Sequence, residues 1–251
     1  MNESVKFITS PKGEYLKKIT KLWCKTFGDD EAFVSSIIAL KSYAGTVCAE
    51  NNGELIGMAH LIKLENKSRA YYLYAVATAA EHRGKGICSS ILSFLKTKST
   101  EENFALLLHP ADKSLAEFYR KNGFSPVLYS YEISCSGDAG KYFEISCAEY
   151  KCQRDFQFGG NGYFGFDEDI LSLSGLSFIG FDIDGEYMCA AVSEDKVCEL
   201  CAPPHMFGKA AKRAANSNGK ILMLDNVPIG AEVAVMAYNA VDFSYFNLFL
   251  D

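Results

Sequence analysis

The stretch Tyr71–Ser89, YYLYAVATAAEHRGKGICS, constrains this chain more than any other. An apolar run of aromatic and β-branched residues leads into a polar turn of small residues. The turn opens directly into a segment where Ile87, Ile91, Leu92 and Leu95 recur on one helical face. The run suits a central strand, and the spacing after it predicts a helix from about Gly86 to Lys98. Between them lie Arg83, Gly84, Lys85 and Gly86. Glycines at a helix mouth let successive backbone amides turn inward with no Cβ in the way. The orphan amides and dipole of the helix start favour an anion there. The turn lacks the Gly-Lys-Ser/Thr ending of a Walker A loop and the early glycines of a dinucleotide fold. Taken alone it reads either as a phosphate loop or as a surface turn.

The neighbouring segments make a strand meander with helical crossovers. Val5–Ile8 reads as a short strand, residues 12–27 as an amphipathic helix, and Asp29 or Asp30 caps a second helix. Ala44–Glu50 and Leu55–Leu64 flank Asn51-Asn52-Gly53, a strong hairpin turn, and Ala70–Thr78 returns as the third strand. After the loop and its helix, Phe104–Leu108 reads as a short apolar strand parallel to its neighbour. A helix over Asp112–Lys121 ends at Asn122-Gly123, and Pro126–Ser134 is a further strand. Beyond 135, strands are predicted at Tyr142–Cys147, Glu186–Val192, Lys196–Cys201, Ile221–Leu224, Glu232–Tyr238 and Ser244–Leu250. Helices fall at Glu149–Phe156, over 168–175 and after Pro203-Pro204. Hairpin, helix, strand, strand coarsely repeats the first half.

Strand AVAT, loop AEHRGKGIC and helix SSILSFL together resemble the coenzyme-binding motif of the GNAT acetyltransferases. The family's Arg/Gln, two residues, Gly, one residue, Gly/Ala pattern falls on Arg83, Gly86 and Cys88, the last a departure to a residue close to Ala in bulk. LLLHPADKSLAEFYRKNGF resembles the family's following strand, helix and Gly-Phe ending. The resemblance implies a mixed α/β GNAT acyltransferase fold over residues 1–134 that binds acetyl-CoA. Residues 135–251 are expected to form a second, degenerate GNAT-like half that serves acceptor binding and interaction. The resemblance also implies that backbone groups around Val76, Ala77 and Thr78 pair with the pantetheine arm. The amides of Gly84, Lys85, Gly86, Ile87 and Cys88 then hold the pyrophosphate, with Arg83 flanking.

Transfer of an acetyl group to a primary amine needs a base, close approach to the thioester, an oxyanion donor and a proton for the leaving thiolate. The resemblance places Tyr119 beside the coenzyme sulfur as the acid; a free tyrosine, with a pKa of about 10, is protonated near neutral pH. The base is open. His60 is either a core histidine or an amine-facing base, and His109 ends the parallel strand. Asp251, with its terminal carboxylate, is suggested by family members that bring their C-terminus into the active site.

Composition narrows the partners. Residues 1–130 hold 17 basic and 13 acidic residues, and 131–251 hold 8 and 18. No concentrated basic face points to nucleic acid. The acidic half suits a small cationic amine, and a homodimer is left open. No apolar run reaches a membrane span, and the first residues lack a signal-peptide pattern, so a cytoplasmic protein is expected. The nine cysteines read as reduced thiols. Cys198 and Cys201 form the one CxxC, expected to be packing rather than a metal site, because it lacks a second pair or a nearby histidine.

Overall fold

The computed structural model describes residues 3–65, 69–138, 140–160, 163–194, 196–215, 219–225, 232–240, 243 and 245–247. The chain divides into two units, Met1–Ser125 with Met236–Val241, and Pro126–Val235 with Asp242–Asp251. The first holds β1 (Glu3–Ile8), α1 (Glu14–Phe27), α2 (Glu31–Ala39), β2 (Tyr43–Asn51), β3 (Glu54–Leu64), β4 (Ala70–Thr78), α3 (Ile87–Glu102), β5 (Ala105–Leu108) and α4 (Lys113–Lys121). The second holds β6 (Ser125–Ser134), β7 (Phe143–Glu144), α5 (Cys147–Phe158), α6 (Glu168–Leu173), β8 (Ser177–Ile183), β9 (Glu186–Val192), β10 (Lys196–Cys201), α7 (Phe207–Ala215) and β11 (Lys220–Asp225). The last three residues of β12 (Glu232–Tyr238) belong to the first unit.

In the first unit β1 to β4 are antiparallel neighbours, and β5 joins β4 in parallel across α3. Met236–Tyr238 then pairs antiparallel with the far edge of β5. Local chemistry explains much of this. Asn52 and Gly53 both take positive φ, 51° and 82°, as a two-residue hairpin loop that matches the strand twist requires. Asp30 caps α2 by accepting from Phe33 N at 2.7 Å, while Asp29 accepts from the indole Nε1 of buried Trp23 at 2.7 Å. The helix after β4 seats directly on β3 at Gly57. A Cβ there would lie 2.8 Å from Ile87 Cγ2 and 3.1 Å from Ile91 Cδ1.

The second unit repeats the order. β7, β8, β9 and β10 are antiparallel neighbours, α7 crosses over, and β11 pairs parallel with β10. β6 closes the sixth position against β11. Strand β8 is an addition to the sequence reading. Its signal was the dipeptide Asp184-Gly185 between two apolar runs, and both residues take positive φ in the turn to β9. Three expected elements change. The strand over Tyr142–Cys147 shortens to Phe143–Glu144, because Ser146 caps α5 by accepting from Glu149 N. The helix after the proline pair begins at Phe207. Of the expected terminal strand, Tyr245 forms an isolated bridge with Tyr163; Ser244 and 248–250 lie outside the described residues.

Alternation along β9 and β10 gives the second unit two interiors. Met188, Ala190, Leu200 and Ala202 join Ala210, Ala211 and Ala214 of α7 in one apolar cluster. The other interior is ionic. Arg154 of α5 and Glu199 of β10, each 1% exposed in the side chain, meet at 2.6 Å. Tyr150 and Tyr245 donate to the Glu199 carboxylate at 2.5 and 2.6 Å, and Arg154 also donates to Tyr163 Oη and Asn247 O. A buried pair is costly to break from one side, since the survivor stays buried and charged. Arg154→Met is therefore expected to cost about 3–5 kcal/mol in urea unfolding, and Arg154→Met with Glu199→Leu to recover most of it.

Candidate functional site

The parallel ladder between β4 and β5 stops early. It pairs Ala70, Tyr71 and Tyr72 with Ala105, Leu106 and Leu107, whereas β4 continues to Thr78. Where the ladder stops, β4 also changes register against β3: Met58 faces Ala77, but His60 faces Tyr74. Ala75 carries the bulge with φ 47°, a left-handed value that a Cβ residue adopts only under constraint. The bulge re-aims the strand and leaves Tyr74, Ala75, Val76 and Thr78 half-buried at an opened edge. No residue type in AVAT announces this bulge, because only its pairing partners define it.

At the end of the opened edge the chain makes one 3-10 turn, Ala80–His82, and enters the glycine loop. Gly84 and Gly86 take φ of 73° and 82°, and a Cβ on either would meet nothing within 4 Å. The glycines are there for backbone conformation, and the space before them is open. Gly86 is the N-cap of α3, and no side chain caps the helix. Its first amide with a helical acceptor is Ser90 N, bonded to Gly86 O at 2.9 Å. The amides at the helix start are thus unclaimed by the helix, which is the condition for anion binding. The long side chains turn back on the loop: Arg83 Nε donates to Thr78 O and Lys85 Nζ to Glu81 O. These residues fit a coenzyme A pyrophosphate on an observation of their own, an uncapped helix start behind two glycines of positive φ.

Tyr119 lies on α4, 7% exposed, with its ring 6.0 Å from that of Phe124. Asp112 caps this helix by accepting from Leu115 N at 2.8 Å, and the turn at Asn122-Gly123 closes it, with Lys96 donating to Asn122 O. Burial, and after it the nearby Cys88 thiol, push the phenol above the ordinary tyrosine range. The Cys88 thiol is itself raised to about 11 by burial, so it is held as a thiol.

The histidines separate. His60 is completely buried, with Nδ1 2.9 Å from Thr46 Oγ1 and its ring 4.6 Å from that of Trp23. Desolvation drops it to about 3. His109 immediately follows the last residue of β5 and is exposed. Asp251 lies outside the described residues.

The neutral His60 has a consequence for stability. Its folded pKa lies below the unfolded value of about 6.5, so the unfolded chain takes up the proton first. Stability from this group is full above about pH 6.5 and drains away as pH falls toward 3. His60→Gln is expected to lessen the loss by about 1.4 kcal/mol per pH unit across that window, read from urea midpoints at successive pH values.

The second unit has the same opened ladder without the cradle. β10 pairs with β11 only at Lys196 and Val197, then breaks register against β9 between Val197 and Glu199. Pro203-Pro204 stand before α7 where the first unit has glycines. The C-terminal segment bonds to this strand instead, with Asn247 Nδ2 donating to Cys198 O and Tyr245 to Glu199.

Residues 15–124 match the model of the acetyltransferase (GNAT) family. Solved structures share the fold across both units. One is a conserved protein from Enterococcus faecalis V583 described as a probable N-acyltransferase, with TM-score 0.69 and 13% identity over 94% of this chain and 72% of the other. A GCN5-related N-acetyltransferase from Anabaena variabilis gives 0.66 and 15% over 95% and 73%. A tandem GNAT protein from the clavulanic acid biosynthesis pathway gives 0.57 and 10% over 94% and 98%. No curated protein matches the chain in sequence. Among the described residues, no helix is long and apolar enough to cross a membrane, and no three His, Cys, Asp or Glu residues gather to hold a metal.

Proposed function

We propose that the chain is an N-acetyltransferase that moves the acetyl group of acetyl-CoA to the primary amine of a small cationic acceptor, by direct attack in a ternary complex. The observation that carries this reading is the opened β4 edge running into an uncapped glycine cradle. Acetyl-CoA supplies the activated thioester. Val76, Ala77 and Thr78 offer backbone groups to the pantetheine arm. The amides of Gly84, Lys85, Gly86, Ile87 and Cys88 hold the pyrophosphate, and Arg83 flanks them.

Tyr119 gives its proton to the departing thiolate. Burial keeps that proton in place at neutral pH, so the acid is present when the C–S bond breaks. For the base we propose His109, exposed at the end of β5, and alternatively the carboxylates of Asp251. His60, shut in the core and neutral, is assigned to packing. The division of labour follows the two halves of the sequence, with donor binding in 1–134 and acceptor binding in 135–251. The acidic excess of the latter draws a cationic amine through its long-range field.

Thiol release from acetyl-CoA, measured with polyamines, amino acid derivatives and aminoglycosides, tests the reading. Turnover with at least one cationic amine is expected. Acetyl-CoA binding without acetylation of any amine would instead mean a coenzyme-binding module, and preference for ATP or NAD in calorimetry would overturn the site itself. His109→Ala and deletion of Asp251 separate the two bases: loss of the base removes the acidic limb of the pH–rate profile.

A further inference from the structure

Cys189 of β9 and Cys201 of β10 stand directly opposite each other in the antiparallel ladder. Both are buried, at 0% and 3% exposure, and both are free thiols. Directly opposed residues on antiparallel strands have Cα atoms about 4.5–5.5 Å apart, within the range of about 4.4–6.8 Å that a disulfide spans. The Cys201 thiol lies within hydrogen-bonding reach of Cys189. Both thiols share the face of Glu199, since Met188, Ala190, Leu200 and Ala202 take the opposite face against α7. The tertiary partner of Cys201 is therefore Cys189, twelve residues away, and not Cys198 of the CxxC spacing.

We infer that Cys189 and Cys201 form an oxidation site, a cross-strand dithiol that a small peroxide converts to an intrachain disulfide. The thiolate of one cysteine attacks the peroxide O–O bond, giving a sulfenic acid and hydroxide. The second thiol then displaces that hydroxyl as water and closes the S–S bond. Overall, two thiols lose two hydrogens and two electrons, and hydrogen peroxide is reduced to two waters. Burial and the neighbouring Glu199 carboxylate disfavour the thiolate at Cys201, so oxidation proceeds slowly and faster at higher pH. The bond would fasten β9 to β10 beside the Arg154–Glu199 pair that holds Tyr245 and Asn247.

The test uses the full chain. Accessible thiols such as Cys152 are first blocked by alkylation in the native state. Hydrogen peroxide is then added, and the remaining thiols are alkylated after unfolding. Tryptic cleavage after Lys196 places the two cysteines on separate peptides. Fragmentation distinguishes Cys201 from Cys198 on the same peptide. A Cys189–Cys201 link is expected ahead of any other pair, with a rise in Tm of about 5 °C that Cys189→Ala abolishes. Recovery of both cysteines as alkylated or singly oxidised residues, or pairing of Cys201 with Cys198, would overturn the inference. The peptide map of the parent chain decides this even where the variant fails to fold.

Discussion

Gly86→Val is expected to weaken acetyl-CoA binding by at least about 100-fold, a loss of about 2.7 kcal/mol, while leaving the chain folded. Gly86 has φ 82° at the N-cap of α3. A β-branched residue is strongly disfavoured at such an angle, so the loop must rearrange to accept valine. In the proposed site, that rearrangement turns the amides of Gly86, Ile87 and Cys88 away from the pyrophosphate. Each lost charge-assisted bond to a phosphate oxygen weakens binding by about 1.5–3 kcal/mol. The site is exposed and its Cβ direction is empty, so the core is not disturbed. Calorimetry with acetyl-CoA reads the affinity, and thermal unfolding reads the fold. Lys85→Ala is the contrasting variant. Its ammonium is bonded to Glu81 O on its own loop, and only a few-fold change is expected. Equal losses in the two variants would mean that side-chain charge, and not the backbone cradle, holds the anion. Calorimetry should also return one coenzyme per chain, since the second unit has prolines where the first has its glycines and bonds its C-terminal segment to β10.

Tyr119→Phe is expected to lower kcat by about 100-fold, at the low end of the general-acid range, with acetyl-CoA affinity changed by less than about twofold. The ring is buried among Phe118 and Phe124, and phenylalanine preserves that packing. Only the proton is removed. The signature is therefore a kcat effect without a binding effect. The phenol is raised by burial, so loss of activity from its ionisation should fall above the ordinary tyrosine range near pH 10. An unchanged kcat with lowered stability would reduce Tyr119 to a packing residue, and the leaving thiolate would then take its proton from solvent.

Much of the fold could be read in residues because local chemistry demanded it. Asn52-Gly53 had to be a tight hairpin, Asp29 or Asp30 had a helix to cap, and the face Ile87, Ile91, Leu92, Leu95 had to be buried. The glycine loop belongs to this group too. Positive φ at Gly84 and Gly86 is a property of those residues and their neighbours. Period-two and period-3.6 patterns also carry the repeat of one topology in both halves, whereas β8 is defined by its pairing with β9 across the Asp184-Gly185 turn.

Pairing decided the rest, and pairing is not local. Ala75 bulges because of how β4 meets β3, and the ladder opens beyond Tyr72 because β5 ends at Leu108. Nothing in AVAT or ALLL encodes either. His60 alternates along β3 in a way that suits a core or a site equally. Its fate was set by Trp23 and Thr46, residues on other elements. The sixth strand of the first unit comes from Met236–Tyr238, far along the chain. The apparent CxxC gave way to a cross-strand partner for the same reason. The sequence by itself determined the glycine loop and the uncapped helix start behind it, since backbone freedom and helix dipoles act over a few residues. The tertiary structure alone decided the opening beside it, because an opening between strands is a relation between segments that only long-range hydrogen bonding creates.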